Sequence, residues 1–162
     1  MIRKGLIYLS ISLLLGCKVS LTGGNFGESK TISVAFFPNN SSLVQPTLSQ
    51  AFTEDLRSFF QTQTPLTLVQ RNGDLQFEGA ITDYRINPAA IANQTASSNR
   101  LTISVSVKFT NVKDSTKDFE STFSRFADFP SSENLGSIEA DLIKQINQQL
   151  AQDIFNKAFI NW

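Results

Sequence analysis

The sequence feature that most constrains the fold is an unbroken alternation of apolar and polar side chains over residues 101–110. The apolar positions are Leu101, Ile103, Val105, Val107 and Phe109. Because successive side chains of a β-strand point to opposite faces of its sheet, the pattern predicts a strand with one buried and one polar face. The chain therefore needs a sheet whose apolar side is covered by other elements.

Four further segments have the β-branched or aromatic composition of strands and end at turn-forming residues: 31–37, 66–69, 75–86 and 118–129. The run 66–69 is short. The turn at Lys113-Asp114-Ser115 predicts that the last strand pairs antiparallel with the strand over 101–110. Residues 87–99 are mostly polar and have no period, so we expect a mobile loop there.

The strand over 75–86 changes phase near Gly79, which predicts a bulge or kink at that glycine. In this interpretation the apolar side chains divide between the two sides of the strand. Leu75, Phe77 and Ile81 lie on one side, and Ala80, Tyr84 and Ile86 on the other.

Two segments carry apolar side chains at helical spacing. The first follows Thr47, a candidate N-cap, and has its stripe at Leu48, Phe52, Leu56, Phe59 and Phe60. The second follows Ser137, also a candidate cap, and runs to the C-terminus with its stripe at Ile138, Leu142, Ile146, Leu150, Ile154 and Ala158. The element order predicts an α+β fold: a two-layer sandwich with two helices packed on one face of a mostly antiparallel four-stranded sheet. Residues 31–162 form its single domain.

The first residues resemble a bacterial lipoprotein signal. Arg3 and Lys4 precede an apolar stretch over residues 6–15, which is too short to span a bilayer as a helix. Leu14-Leu15-Gly16-Cys17 is similar to a lipobox, and the only cysteine of the chain occupies the position that is acylated. We therefore expect a cleaved signal peptide over 1–16, a lipid anchor at Cys17, and a flexible tether over 17–30. The alternative is an ordinary signal peptide followed by a buried free cysteine.

The residues that follow Cys17 also indicate in which membrane the protein is located. Lys18 and Val19 follow Cys17, so the acidic residue that retains some lipoproteins in the inner membrane is absent. The expected location is the periplasmic face of the outer membrane.

The composition disfavours catalysis. With no histidine and one cysteine, the chain lacks an imidazole base, a dithiol and the usual zinc ligands. The acid pairs Glu54/Asp55 and Glu139/Asp141 fall on predicted helices and are interpreted as solvated or as partners of helix N-termini. A formal net charge of zero argues against nucleic acid as a partner. We expect no enzyme activity, no cofactor and no metal site.

The polar face of the predicted sheet is the remaining candidate surface. Its residues are Thr102, Ser104, Ser106, Lys108 and Thr110, joined by Thr122 and Ser124 of the next strand. It is either the solvated side of an antiparallel sheet or a docking face for another β protein or an amphiphile. The basic residues near the strand ends either are solvated or bind lipid phosphates together: Arg85, Arg100, Lys108 and Lys113.

Several segments, in this order, resemble the LptE family of lipopolysaccharide-assembly lipoproteins in its Bacteroidetes-type form. They are the lipobox, Phe36-Phe37-Pro38-Asn39, the helix over 48–60, residues 71–79 with Ile81 and Tyr84, residues 100–103, residues 109–111, residues 153–158, and Asn161-Trp162. The resemblance implies a lipoprotein that plugs and helps assemble the LptD β-barrel and binds lipopolysaccharide. It also implies two helices on a four-stranded sheet. Only Cys17 transfers as a functional residue.

Two other functions stay open from the sequence. One is a periplasmic regulator of another envelope complex, such as a cell-wall synthase, although a tether of about a dozen residues spans only ~20 Å as a coil. The other is a lipid-carrier or hydrolase lipoprotein.

Overall fold

In a computed structural model that describes residues 24–43, 45–92 and 95–160, the chain forms two helices and one sheet. The helices are α1 (Leu48–Gln63) and α2 (Leu135–Phe159). The strands are β1 (Thr31–Val34), β2 (Thr67–Val69), β3 (Leu75–Ala92), β4 (Thr95–Asn111) and β5 (Phe119–Pro130). The expected signal peptide and Cys17 lie outside the described residues.

The sheet has five strands in the order β2-β1-β3-β4-β5, and it is mixed. Strand β1 pairs in parallel with both β2 and β3, whereas β4 pairs antiparallel with both β3 and β5. The prediction of four mostly antiparallel strands is thus close but incomplete. Helix α1 joins β1 to β2 and returns the chain to the starting end of β1, which makes the three-residue β2 a parallel edge strand.

Strands β3 and β4 are both longer than the predicted strands over 75–86 and 101–110, and they pair as a hairpin. Residues 87–92 and 95–99 continue the ladder, with Asn87 opposite Arg100 and Ala92 opposite Thr95. The expected mobile loop over 87–99 is therefore wrong for these residues, and residues 93 and 94 lie outside the described part of the chain. Ladder hydrogen bonds come from the backbone, so a polar segment without period can still extend a strand. The register shifts near Pro88, which has no N–H to donate. We call the end of the sheet with Ala92 the distal end, and the end with Leu75 and Asn111 the near end.

The bulge of β3 lies at Thr82, between the pairs Ile81–Val105 and Asp83–Ser104, and not at Gly79 as predicted. Because of this extra residue, the even-numbered residues after the bulge point to the face that the odd-numbered residues occupy before it. Tyr84 and Ile86 therefore lie opposite Ile103 and Leu101 and share the buried face with Phe77. The predicted division of side chains is therefore wrong for Tyr84 and Ile86. Gly79 has another role: a Cβ there would lie 1.9 Å from the carbonyl oxygen of Ser106.

Both helices cover the same face of the sheet. The Phe77 ring lies 4.6 Å from Phe60 of α1 and 6.2 Å from Phe159 of α2. The alternating apolar residues of β4 are all buried, which confirms the prediction for that strand. The predicted stripe of α1 is also confirmed, with Phe59 only partly buried.

The helix caps differ from the prediction. Thr47 occupies the N-cap position of α1 but makes no capping hydrogen bond with its side chain. Helix α2 starts earlier than predicted, because Asn134 and not Ser137 is its cap; Asn134 Oδ1 accepts a hydrogen bond of 2.9 Å from the Gly136 amide.

Candidate functional site: the open face of the sheet

The face of the sheet opposite the helices, here called the open face, is rich in short hydroxyl side chains. Ladder pairs place Ser106 opposite Ala80 and Thr122, and Ser104 opposite Ser124. The Ser104 and Ser124 hydroxyls form a 2.9 Å hydrogen bond. Ser104 is itself buried, whereas Ser106 is partly exposed and Thr122 and Ser124 are exposed. A partner would therefore contact mainly the hydroxyls of β5, at little desolvation cost.

Charged residues on the open face stand beside residues of opposite charge. Lys108 lies directly opposite Glu78 on β3 and Glu120 on β5. Cross-strand neighbours of opposite charge stabilise a sheet modestly and leave no strong local field. One lysine between two glutamates gives this row, which lies close to the near end, a formal charge of −1.

Arg100 is held in place by three interactions. Its Nε and Nη2 atoms donate to the two carboxylate oxygens of Asp128 at 2.7 and 2.9 Å. Its guanidinium carbon also lies 3.6 Å from the centre of the Phe126 ring. The hydrogen bond to Asp128 raises the pKa of Arg100 and lowers the pKa of Asp128. The arginine is thus charged, oriented and still accessible at the surface.

Arg85 lies beside Arg100 on the same face. It is opposite Thr102, which is two residues from Arg100 along β4, so the two arginines are diagonal neighbours. Arg85 forms an ion pair with Asp83. We call Arg85, Arg100, Phe126 and their two aspartates the distal cluster.

The distal cluster combines two kinds of surface. Phe126 is 46% exposed, which makes it one of the most exposed large apolar side chains described. Two guanidinium groups next to an exposed aromatic ring can contact a ligand that carries both phosphates and apolar chains. The two arginines were candidates from the sequence, whereas Phe126 was not. Its even position, out of phase with Phe119 and Phe123, was the available signal.

Lys113, the fourth basic candidate, lies at the near end. Its ammonium group is 3.4 Å from the Asp74 carboxylate. Asp74 also accepts from the amides of Lys30 and Thr31, and these bonds, that of Lys30 first, lower the pKa of Asp74 to about 2. The structure therefore brings two of the four basic candidates together, Arg85 and Arg100, and separates Lys108 and Lys113 from them.

The acid pairs of the two helices make structural contacts. Glu139 accepts hydrogen bonds from the Tyr84 hydroxyl and from Gln45 Nε2. Asp55 accepts a 2.8 Å hydrogen bond from the buried Asn147 side chain, which ties α1 to α2. These carboxylates position helices, and Glu139 is more than a solvated surface acid.

Among the helices of the described residues, none is long and apolar enough to cross a bilayer.

The fold and the open face define a small α+β domain with two helices on one side of a mixed sheet. Solved structures share this fold. A minor lipoprotein from Acinetobacter baumannii aligns with a TM-score of 0.54 at 12% identity, over 80% of this chain and 91% of that one. Rare lipoprotein B from Shewanella oneidensis aligns with a TM-score of 0.50 at 10% identity, over 77% of this chain and 90% of that one.

Residues 29–158 match the LptE family model, described as lipopolysaccharide-assembly. The chain belongs to the LptE family. No curated protein sequence matches this chain significantly.

Proposed function

We propose that this protein is a non-catalytic lipoprotein of the outer-membrane lipopolysaccharide translocon. In this proposal Cys17 carries acyl chains that hold it on the periplasmic face of the outer membrane. The domain plugs and helps to assemble an LptD-type β-barrel and binds lipopolysaccharide as it is inserted in the outer leaflet. Membership of the LptE family is the single observation that carries the proposal.

The open face supports a β-barrel as the partner. The lumen of such a barrel is polar, and the open face offers hydroxyl groups and cross-strand neighbours of opposite charge. The two helices cover the opposite face, where Phe77 and Phe109 are buried. The open face is therefore the broad surface left for a partner.

The distal cluster supports lipopolysaccharide as the ligand. Guanidinium groups bind phosphates through paired hydrogen bonds, and Phe126 offers an apolar surface to acyl chains. Both arginines already have a carboxylate partner, so the ligand phosphates would exchange with Asp83 and Asp128. Exposed ion pairs are weak enough for such exchange.

The partner is tested by purifying the tagged lipoprotein from detergent-solubilised outer membrane and identifying what accompanies it in stoichiometric amount. We expect one large β-barrel of the LptD type. A cell-wall synthase in its place would support the regulator hypothesis, and a co-purified lipid without any protein would support a carrier.

A pair of matched variants tests whether the barrel contacts the open face. Thr122→Arg adds charge and bulk at an exposed position of that face and is expected to lose the barrel. Ala140→Arg makes a similar addition at an exposed position on α2 and is expected to retain it. Retention of the barrel by both variants would contradict docking through the open face.

The ligand is tested with two matched double variants. Arg85→Ala with Arg100→Ala is expected to reduce lipopolysaccharide bound to the purified protein several-fold. Lys108→Ala with Lys113→Ala removes the same charge outside the distal cluster and is expected to bind nearly as the wild type does. Equal losses in the two variants would mean that only total charge matters, which contradicts a site at the distal cluster.

The anchor is tested by Cys17→Ala. We expect this variant to leave the outer-membrane fraction and to lack the mass of the acyl chains. Unchanged fractionation would contradict an anchor at Cys17.

A further inference from the structure

The segment that leads into β1 is fixed to the near end of the domain. The amide of Asn25 donates a 2.9 Å hydrogen bond to the carbonyl of Phe159, at the end of α2. The Phe26 ring lies 4.8 Å from the Phe159 ring. Residues 25–30, within the expected tether, are thus packed on the fold, and the position at which the chain leaves the domain is set by these contacts.

The chain between that position and Cys17 is short. Cys17 precedes Asn25 by eight residues, which span at most ~29 Å when fully extended and ~16 Å as a flexible coil. Strand β3, from Leu75 to Ala92, has a length of about 55 Å. An anchor at Cys17 therefore holds the near end close to the bilayer. The length of β3 is about twice the extended length of the chain from Cys17 to Asn25, so the distal end can lie far from the bilayer.

A turn at the near end presents an apolar side chain to solvent. Val112 follows the last residue of β4 and is 62% exposed, more than any other large hydrophobic residue described. The turn is well braced: the Val112 amide donates to the carbonyl of Asp74 at 2.9 Å, and Asn111 Oδ1 accepts from the amides of Lys113 and Asp114. The backbone thus holds Val112 outward.

Lys113 lies in this turn and Lys117 follows it, and both lie next to the N-terminal segment, near Glu28 and Asp114. Lys113 and Lys117 line a cleft of about 220 Å³ together with Phe26 and Ser29. Lys113 pairs with Asp74 at 3.4 Å and Lys117 with Asp114 at 3.8 Å, but the Lys113 side chain is half-exposed. An exposed apolar residue followed by long cationic side chains suits a bilayer surface, where the apolar group enters and the ammonium groups meet phosphates.

We propose that the turn over residues 111–114, with Val112 at its tip, lies in the headgroup region of the leaflet that holds the acyl chains of Cys17. The domain then stands with its distal end away from that membrane surface. This inference rests on the anchor at Cys17 that forms part of the proposed function.

The single cysteine makes the test direct, because an acylated Cys17 leaves no free thiol and any introduced cysteine is the only site for a thiol label. Val112→Cys is compared with Leu43→Cys, an apolar residue that is 49% exposed in the segment before α1. Each acylated protein is labelled with an environment-sensitive fluorophore and reconstituted in phosphatidylcholine vesicles that contain headgroup nitroxide lipids. We expect quenching several-fold stronger at position 112 than at position 43.

Each other outcome overturns the inference in a distinguishable way. Equal quenching at the two positions, with Cys17 acylated by intact mass, would mean that the turn does not contact the membrane and would leave the anchor intact. Shielding of position 112 that depends on protein concentration and not on lipid would point to a second copy of the chain instead. An unacylated Cys17 would remove the anchor and this inference together, whatever the lipopolysaccharide measurements show.

Discussion

The two faces of the sheet use alternate residues of the same strands but are stabilised in different ways. On the helix-covered face, Phe77 and Phe109 are opposite each other and buried, with ring centres 4.8 Å apart. On the open face, Ser104 meets Ser124 and Arg100 meets Asp128, while Phe126 stays half-exposed. The first face is complete within this chain. The second retains exposed groups, and this difference is the reason we propose the open face as the docking surface.

The largest expected effect tests the helix-covered face. Phe77→Ala removes a buried ring that contacts both helices and is expected to reduce the free energy of unfolding by about 3–5 kcal/mol. The matched change Ser106→Ala on the open face is expected to stay within about 0.5 kcal/mol. Urea denaturation measures both. Comparable losses for the two variants would break the comparison between the faces.

A smaller effect is expected where two parts of the backbone approach closely. In Gly79→Ala the new Cβ would lie 1.9 Å from the Ser106 carbonyl and 2.7 Å from the Phe37 ring, so strand β4 must move. We expect a loss of at least about 2 kcal/mol. The control Gly136→Ala meets its nearest neighbour, Asn134 Oδ1, at 3.4 Å and is expected to leave the thermal midpoint nearly unchanged. A wild-type midpoint for Gly79→Ala would contradict the close approach.

Asp74, at the near end of the sheet, gives a prediction for how stability depends on pH. The folded state lowers the pKa of Asp74 to about 2 from an ordinary value of 3.8, chiefly through the Lys30 amide. Its contribution to stability is therefore present above about pH 4 and is lost as the pH falls toward 2. Asp74→Asn is expected to be less stable than the wild type at pH 7, with the gap narrowing between pH 4 and pH 2. A gap that stays constant over that range would show that the charge of Asp74 does not contribute.

The smallest effect on stability is expected in the distal cluster. Arg100→Gln removes an exposed ion pair and a ring contact and is expected to leave the thermal midpoint nearly unchanged. Differential scanning calorimetry checks this. A much larger loss would mean that Arg100 is needed for the fold, and its part in ligand binding would then need another measurement.

Local sequence patterns were sufficient for several elements. The alternation over 101–110 predicted β4 and its buried face, and the spacing of Leu48, Phe52 and Phe60 predicted α1 and its covered stripe. These patterns work because strand and helix periods are set by the backbone geometry of neighbouring residues. They also predicted the hairpin of β4 with β5. Basic residues were named as candidates from their type and their place near strand ends.

Other features depended on residues far apart in the chain. Strand β2 joins the sheet because β1 offers it a parallel edge, and residues 87–92 and 95–99 are strands because each side of the hairpin supplies backbone hydrogen bonds to the other. The bulge at Thr82 places Tyr84 over the core, where Glu139 of α2 accepts its hydrogen bond. The periodicity of neighbouring residues cannot predict these pairings, because the partners lie far apart in the chain.

The sequence by itself determined the two helices, the central part of the main strands, the buried side of β4 and the resemblance to the LptE family, because each depends on residue order or on a short period. Only the tertiary structure decided which candidates act together. It brought Arg85, Arg100 and Phe126 to one patch of the open face and placed Lys113 at the opposite end of the sheet. The physical reason is register: a shift of one residue between strands moves a side chain to the other face, and register is set by the whole ladder.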